Sequence, residues 1–370
     1  MKKLAILGAS YLQMPLVAKA NQMGIETHCF AWDNNEAVCK GIADFFYPIS
    51  VLDKEAIAEQ CMAIGIDGIV TIATDICVPT ISFVAEKMGL TANSYASAIA
   101  STNKGVMREK FAQYGINSPK FLRVEKYETG LFSDFNFPLI VKPTDRSGSR
   151  GVTKVYDHPH LEQAIVEATS ESIENQAIIE EFIEGEEVSV EYISNNGDHF
   201  LLSITDKITT GEPYFVELEH HQPSQLPKAI LSKIETETLK ALQALEIQFG
   251  ASHSEFKITK DGKIYAIEVG ARMGGDFIGS HLTPLSTGYD FVEGVINVAL
   301  NEFEVPVFKA RHYSGVYFLC QESERLLPHF HKQNAFDYEK KILSENLESI
   351  RNSNDRSGFL IYQSDHKIII

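Results

Sequence analysis

The sequence predicts an α/β protein built as more than one lobe. Three observations carry this. Residues 1–95 alternate apolar strands with amphipathic helices, residues 140–270 hold strands separated by a Ser/Gly-rich loop and an acidic connector, and 370 residues exceed what one ordinary core absorbs.

Composition narrows the partners. The chain has 33 basic against 50 acidic side chains, a formal net charge of −17, which opposes non-specific binding to nucleic acid or to an anionic membrane surface. Small anions such as nucleotides remain compatible with a local site. Five cysteines (Cys29, Cys39, Cys61, Cys77, Cys320) form no CxxC and no metal spacing, and "MKKLAILGAS" runs straight into a strand rather than a signal peptide. No apolar run approaches the ~20 residues of a membrane span. These features predict a cytoplasmic, reducing compartment with the cysteines in the core.

Along the first lobe, "KKLAILGAS" predicts a strand, "MPLVAKANQMG" a helix and "ETHCFAWD" a second strand ending at Asp33. A helix near 53–64, the strand "DGIVTIAT" and the helix "VPTISFVAEKMG" complete a βαβαβα order, hence a parallel sheet covered by helices. The turn "GASYLQ" after Gly8 lacks the second and third glycines of a dinucleotide fingerprint, which disfavours a nicotinamide enzyme using Asp33 for a ribose.

The next segment, "NKGVMREKFAQYGINSPKF", predicts a helix closed by Gly115 and a break at Ser118-Pro119. In "NFPLIVKPTDRSGSRGVTKV" an apolar strand carries Lys142 and leads into a loop with Ser147, Gly148, Ser149 and Gly151. Such a loop exposes backbone N–H groups that can wrap phosphate oxygens, and it equally fits a ligand-free hairpin loop. "AIIEEFIEGEEVSVEYI" reads as two strands joined by an acidic connector, either a solvated edge or a place for an adenine between lobes.

The stretch "HSEFKITKDGKIYAIEVGARMGGD" predicts a hairpin about the Asp261-Gly262 turn. A two-residue turn sets Lys260 against Lys263 and, further along, Glu255 against Glu268. Opposed carboxylates roughly 4.5–5.5 Å apart at Cβ are destabilising without a cation. Lys257 is one candidate to compensate them.

In this order the pieces resemble the ATP-grasp superfamily of carboxylate–amine ligases. The residues that carry the resemblance are Lys104, "FPLIVKP" with Lys142, the "DRSGSRG" flap, "IIEEFIEGEEVSVE" and "HSEFKIT" followed by "IYAIEVGARMGG". It implies an ATP-grasp fold with an N-terminal Rossmann-like (pre-ATP-grasp) parallel-sheet domain and a small C-terminal β-rich module. The boundaries expected are 1–95, 96–185 for the small lobe, 186–300 for the large lobe and 301–370. It further implies ATP phosphates on Lys104, Lys142 and the flap (Ser147, Gly148, Ser149, Gly151), and adenine and ribose on Glu180, Glu181, Ile183 and Glu187. Glu255 and Glu268 would hold Mg2+ or Mn2+, the cation that the acid pair lacks. Many members carry an Asn ligand two residues after the second Glu; here that position is Gly270.

The form Glu268-Val269-Gly270-Ala271-Arg272-Met273-Gly274-Gly275 resembles the L-amino-acid and dipeptide ligase branch. The activity implied is activation of a carboxylate as an acyl phosphate and its transfer to an amine. Purine-pathway, carbamoyl-phosphate or biotin-carboxylase-like enzymes of the same fold are the alternative, and a non-catalytic ATP-binding regulator is a second. Arg272 is the candidate to hold the acyl phosphate, its fork suiting a carboxylate bidentately, with Lys142 as the other catalytic residue. Small-molecule carboxylate and amine substrates follow, and a homodimer is one assembly compatible with the chain. "DKITTGEPYFVELEHHQPSQLP" reads as a long substrate-facing loop whose Glu217, His220 and His221 contact the acceptor or simply lie at the surface. His253, Gly274 and Gly275 complete the substrate candidates, with a structural role the stronger reading for His253.

Overall fold

A computed structural model describes residues 1–148 and 150–370. Its first lobe is the parallel sheet expected, with one more strand than the sequence reading contained. Strands β1 (Lys3–Leu7), β2 (Glu26–Phe30), β3 (Phe45–Tyr47) and β4 (Gly68–Val70) lie in the order β3-β2-β1-β4, all parallel. β3 is only Phe-Phe-Tyr, too short for periodicity to reveal. Helices α1 (Met14–Gln22), α2 (Lys54–Ile64) and α3 (Val78–Met88) cover the sheet. α2 is capped by the Asp53 side chain and stopped by Gly65; Pro79 opens α3 and Gly89 ends it. Leu4, Ile6 and Val17 share a core with Phe291, Val295 and Ile296 of the helix Phe291–Ala299, which fastens this lobe to the large sheet. All five cysteines are buried and free, and burial pushes the thiols of Cys39, Cys61 and Cys77 up to about 12.

The middle of the chain begins with α4 (Tyr95–Thr102) and α5 (Lys104–Gln113), followed by the antiparallel sheet of β5 (Phe121–Val124), β6 (Leu139–Pro143), β7 (Thr153–Val155) and β8 (Ala177–Glu181), with α6 (His158–Glu171) packed on it. Met107 and Phe111 of α5 point instead into a core shared with the large sheet. That sheet has eight strands in the order β13-β12-β9-β10-β11-β14-β16-β15. They are β9 (Glu186–Asn195), β10 (Asp198–Thr209), β11 (Glu217–Gln222), β12 (Gly250–Ile258), β13 (Ile264–Gly270), β14 (Tyr313–Leu319), β15 (Asp337–Ile342) and β16 (Gly358–Ser364), with α7 (Lys228–Ala244) behind it.

One sequence expectation changes here. "DKITTGEPYFVELEHHQPSQLP" is not a long loop: it holds the end of β10 and all of β11, which pair, and only residues 210–216 connect them. The expected β-rich C-terminus is present, and β14 hydrogen-bonds β11, so its strands extend the same sheet.

The acid hairpin shows how local rules combine. Thr259 N–H bonds the Lys263 carbonyl and Gly262 N–H bonds the Thr259 carbonyl, so the connection has three residues with Gly262 at φ +76° rather than two. This sets Ile258 against Ile264 and Phe256 against Ala266, one residue out of the expected register. A bulge between Glu255 and Phe256 then absorbs Ile267, and Glu255 pairs with Glu268 after all. The two irregularities cancel.

Among the described residues no helix is long and apolar enough to cross a membrane. The turn between the two middle sheets is tight: a Cβ on Gly185 would lie 2.3 Å from the Ile258 carbonyl oxygen, a backbone atom that cannot swing aside. Gly185→Ala is therefore expected to cost about 1–3 kcal/mol, the scale of overpacking, read as a lower denaturant midpoint at unchanged slope.

Candidate active site

A cavity of about 1050 Å³ runs from the turns that follow the parallel strands of the first lobe to the acid hairpin of the large sheet. Its near end is lined by Gly8–Gln13, Trp32 and Ala73–Cys77, the crevice outside the carboxyl ends of parallel strands where α/β sheets bind ligands. At its far end it meets Lys104, Ser147, Gly148, Gly151, Glu255 and Glu268. Ser149, expected among them, lies outside the described residues.

The opposed carboxylates are not bare. Lys104 Nζ lies 2.8 Å from Glu268 Oε1, and Lys207 Nζ lies 2.6 Å from Glu255 Oε1. Lys257 instead approaches Glu187 at 3.8 Å. Lys207 was hidden in the segment taken for a loop; as a strand residue paired with His220 it faces the cavity, where it also meets Glu187 at 2.9 Å and Glu217 at 3.5 Å. Burial pushes the Glu255 carboxyl up, yet Lys207 and His253 outweigh it and hold the acid well below its usual range. Lys104 sits at the start of α5, where the Asn103 side chain caps the helix, and it also donates to the Arg146 carbonyl of the flap at 2.8 Å. One ammonium thus ties flap to hairpin.

Two opposed carboxylates are hard oxygen donors that suit Mg2+, which takes one or two protein acids together with phosphate oxygens. No cluster of three or more His, Cys, Asp or Glu side chains able to hold a metal occurs among the described residues. The donor set fits a cation shared with a nucleotide.

Several expected nucleotide residues are placed differently. Glu180 is buried, 2.7 Å from Arg108 Nε and 2.8 Å from Lys142 Nζ, so its side chain is spent within the small lobe. Burial opposes its charge, but Arg108 and Lys142 win and bring it down to about 2. Burial lowers the Lys142 ammonium, with Glu180 opposing. The Glu181 side chain turns outward and accepts from Asn136. Ile183 is half-buried on the connector, which does not line the cavity. Beside it Lys154 lies 3.6 Å over the Phe182 ring, and Phe215 packs on Phe182 at 5.9 Å. Glu187 bonds Lys207 rather than standing free.

Arg272 is engaged within the protein. Its Nε and Nη2 bond the two oxygens of Asp75 at 2.9 Å each, a fork reaching across to the first lobe. It lines the cavity and anchors that lobe through one edge of its guanidinium, with further N–H groups remaining on Nη1 and Nη2. Asp75 lies 197 positions away in sequence, beyond any local signal.

His253 bonds Glu191 through Nδ1 and Glu255 through Nε2 at 3.3 Å; burial disfavours its charge, but Glu191 and Glu255 raise it to about 9. Gly274 is a glycine of necessity: its N–H donates to Glu191 at 3.0 Å, and a Cβ there would lie 2.7 Å from both Glu191 and His253. Gly275 lines the cavity itself.

The His pair divides. His221 points away from the cavity, bonded to Tyr362 and Glu219 at 3.0 Å each. His220 faces it, buried, with neither ring nitrogen hydrogen-bonded; burial lowers its basicity against the pull of Asp276. Asp276 pairs at 2.9 Å with Arg356 from the segment that leads into β16, and Arg356 also donates to the Glu217 carbonyl at 3.0 Å. Glu217 and His220 of this corner are among the sequence candidates; Asp276 and Arg356 are not.

Because His253 titrates near 9 when folded and near 6.5 unfolded, its charge stabilises the protein fully below about pH 6.5, and that stabilisation is lost as pH rises through about 9. Between those limits wild type should lose roughly 3 kcal/mol relative to His253→Gln, measured by paired denaturation curves at each pH. Parallel pH profiles would show that the imidazole is not held as a cation.

Residues 135–280 match the ATP-grasp domain family. Over 303 residues the chain is 28% identical to the alanine–anticapsin ligase of Bacillus subtilis, an alignment spanning 72% of this chain and 64% of that protein. It is 30% identical over 192 residues to the D-alanine–D-alanine ligase of Prosthecochloris aestuarii, covering 46% and 50% of the two chains. Among solved structures, the L-amino acid ligase of Bacillus licheniformis superposes with a TM-score of 0.80 at 24% identity, over 99% of this chain and 94% of that one. The phosphoribosylglycinamide synthetase of Anaerococcus prevotii does so at 0.77 and 22%, with the same coverage. With its paired sheets and the acid hairpin between lysines, the chain carries a match to the ATP-grasp domain over residues 135–280 and shares the fold of these solved structures.

Proposed function

We propose that the protein is an ATP-dependent ligase that activates a carboxylate as an acyl phosphate and joins it to an amine, with amino acids or dipeptide-type molecules as substrates. The observation that carries this is the Glu255–Glu268 pair, held between Lys104 and Lys207 at the end of a cavity that opens onto the first lobe. Similarity to ligases named for joining alanine to anticapsin and D-alanine to D-alanine supports it over the carboxylase readings.

In this reading Glu255 and Glu268 would hold Mg2+, which would supply neutralisation of phosphate charge. Lys104 and Lys207 exchange their carboxylate partners for phosphate oxygens, and Ser147, Gly148 and Gly151 close over them. The substrate carboxylate attacks the γ-phosphorus, and the bond to ADP breaks with its electron pair leaving on the ADP oxygen. The amine then attacks the acyl carbon, loses a proton, and phosphate departs with the carbon–oxygen electron pair. His220, its basicity lowered by burial and its ring nitrogens without a hydrogen bond at the cavity wall, would contact the acceptor. Arg272 and Asp75 hold the first lobe against the site.

ATP-dependent phosphate release, screened over amino acids singly and in pairs, should identify substrates, and hydroxylamine should trap the activated acid as a hydroxamate. Glu268→Gln should keep its fold while losing more than about 100-fold in turnover. Mg-ATP should raise the melting temperature of wild type. No thermal shift and no hydroxamate over a broad acid panel would remove the ligase reading.

A further inference from the structure

Among the described residues Arg108 is the most deeply buried cation, with no exposed surface, and it lies in α5 outside the lining of the cavity. It has two attachments in different sheets. Its Nε is 2.7 Å from Glu180 Oε1, whose other oxygen is 2.8 Å from Lys142 Nζ. Its Nη2 donates at 2.6 Å to the carbonyl of Ile267.

Ile267 is the residue absorbed by the hairpin bulge, and the bulge decides which way Glu268 points. Along β12, Phe256 faces the core and Glu255 the cavity; along β13, Ala266 pairs with Phe256 and faces the core. In a regular strand residues two apart share a face, so Glu268 would follow Ala266 into the core. The extra residue reverses the alternation and turns Glu268 toward Glu255 and Lys104. A bulged residue lacks its regular ladder partner, and the partly buried Ile267 carbonyl costs free energy if left without a donor. Arg108 supplies that donor.

We propose that Arg108 is a positioning residue that holds the Ile267 bulge, and with it the direction of Glu268, while fixing Lys142 through Glu180, so that the acid hairpin and the lysine strand are set by one guanidinium. The proposal rests on the Mg–nucleotide reading of Glu255 and Glu268. Lysine at this position would keep a charge beside Glu180, but its single nitrogen cannot also span to the Ile267 carbonyl. Arg108→Lys separates the two attachments for that reason. Arg108→Met, which strands Glu180 beside Lys142 alone, serves as the harsher variant where it folds.

Three measurements decide it on the full chain. Amide exchange without nucleotide should speed up at least about tenfold at Glu268 and Val269 in Arg108→Lys, with β9 unchanged. Mn2+ titrated by electron paramagnetic resonance in the presence of ADP should bind about tenfold more weakly, and metal-free ADP within about threefold of wild type, a split that general loosening of the fold would not produce. Wild-type exchange at residues 268–269, or wild-type Mn2+ affinity, in the folded Lys variant overturns the inference. So does an equal loss of metal-free ADP binding, which would place the action of Arg108 at Glu180 alone. If wild type itself binds no Mn2+ with ADP, the metal reading falls and the inference with it; normal wild-type binding beside an unaltered variant sinks the inference alone.

Discussion

Two carboxylates set face to face on neighbouring strands must be neutralised, and much of the surrounding structure follows from how this is done. Glu255 and Glu268 each receive a lysine, but from opposite directions: Lys207 comes from two strands away in the same sheet, and Lys104 from the helix that leads into the small lobe. The same Lys104 reaches the Arg146 carbonyl, so charge compensation and loop placement are one interaction. His253, bonded to Glu191 and Glu255, extends the array into the sheet interior.

The buried charges join segments rather than merely adding stability. Arg272–Asp75 links the large sheet to the first lobe, Arg356–Asp276 brings the segment that leads into β16 to the cavity, and Arg108 links α5 to both middle sheets. Desolvation takes back most of what such pairs gain, so their worth lies in fixing one arrangement among several that apolar packing would tolerate. Hydrophobic contacts hold the lobes together through Leu4, Ile6 and Phe291; the ion pairs set their alignment.

The alternating pattern of the first lobe and the opposition of Glu255 to Glu268 were legible in the sequence, because both follow from short-range periodicity. The latter was reached through a two-residue turn that does not exist: a three-residue connection and the Ile267 bulge shift the register in opposite senses. Gly211, Pro213 and Pro223 concealed the pairing of β10 with β11, and with it the place of Lys207. The partners of Arg272, Glu180 and Asp276 were not legible at all. Asp75, Arg108 and Arg356 are brought to them by tertiary packing, and no spacing rule spans such distances. Glu181 failed for a simpler reason, since adjacent strand residues face opposite ways and Glu180 takes the inner position.

The pairing of β14 with β11 has a consequence for the sheet's edges. Because the last three strands continue the ladder, β11 is an interior strand, and the backbone beside His220 and His221 is bonded on both sides. Were the sheet to end at β11, its unpaired N–H and C=O groups would form an open edge next to the cavity, a template for any extended chain that arrived there. The C-terminal strands move that edge away to β15, where Asp337, Glu339, Lys340 and Lys341 set charges along a strand and so discourage further pairing.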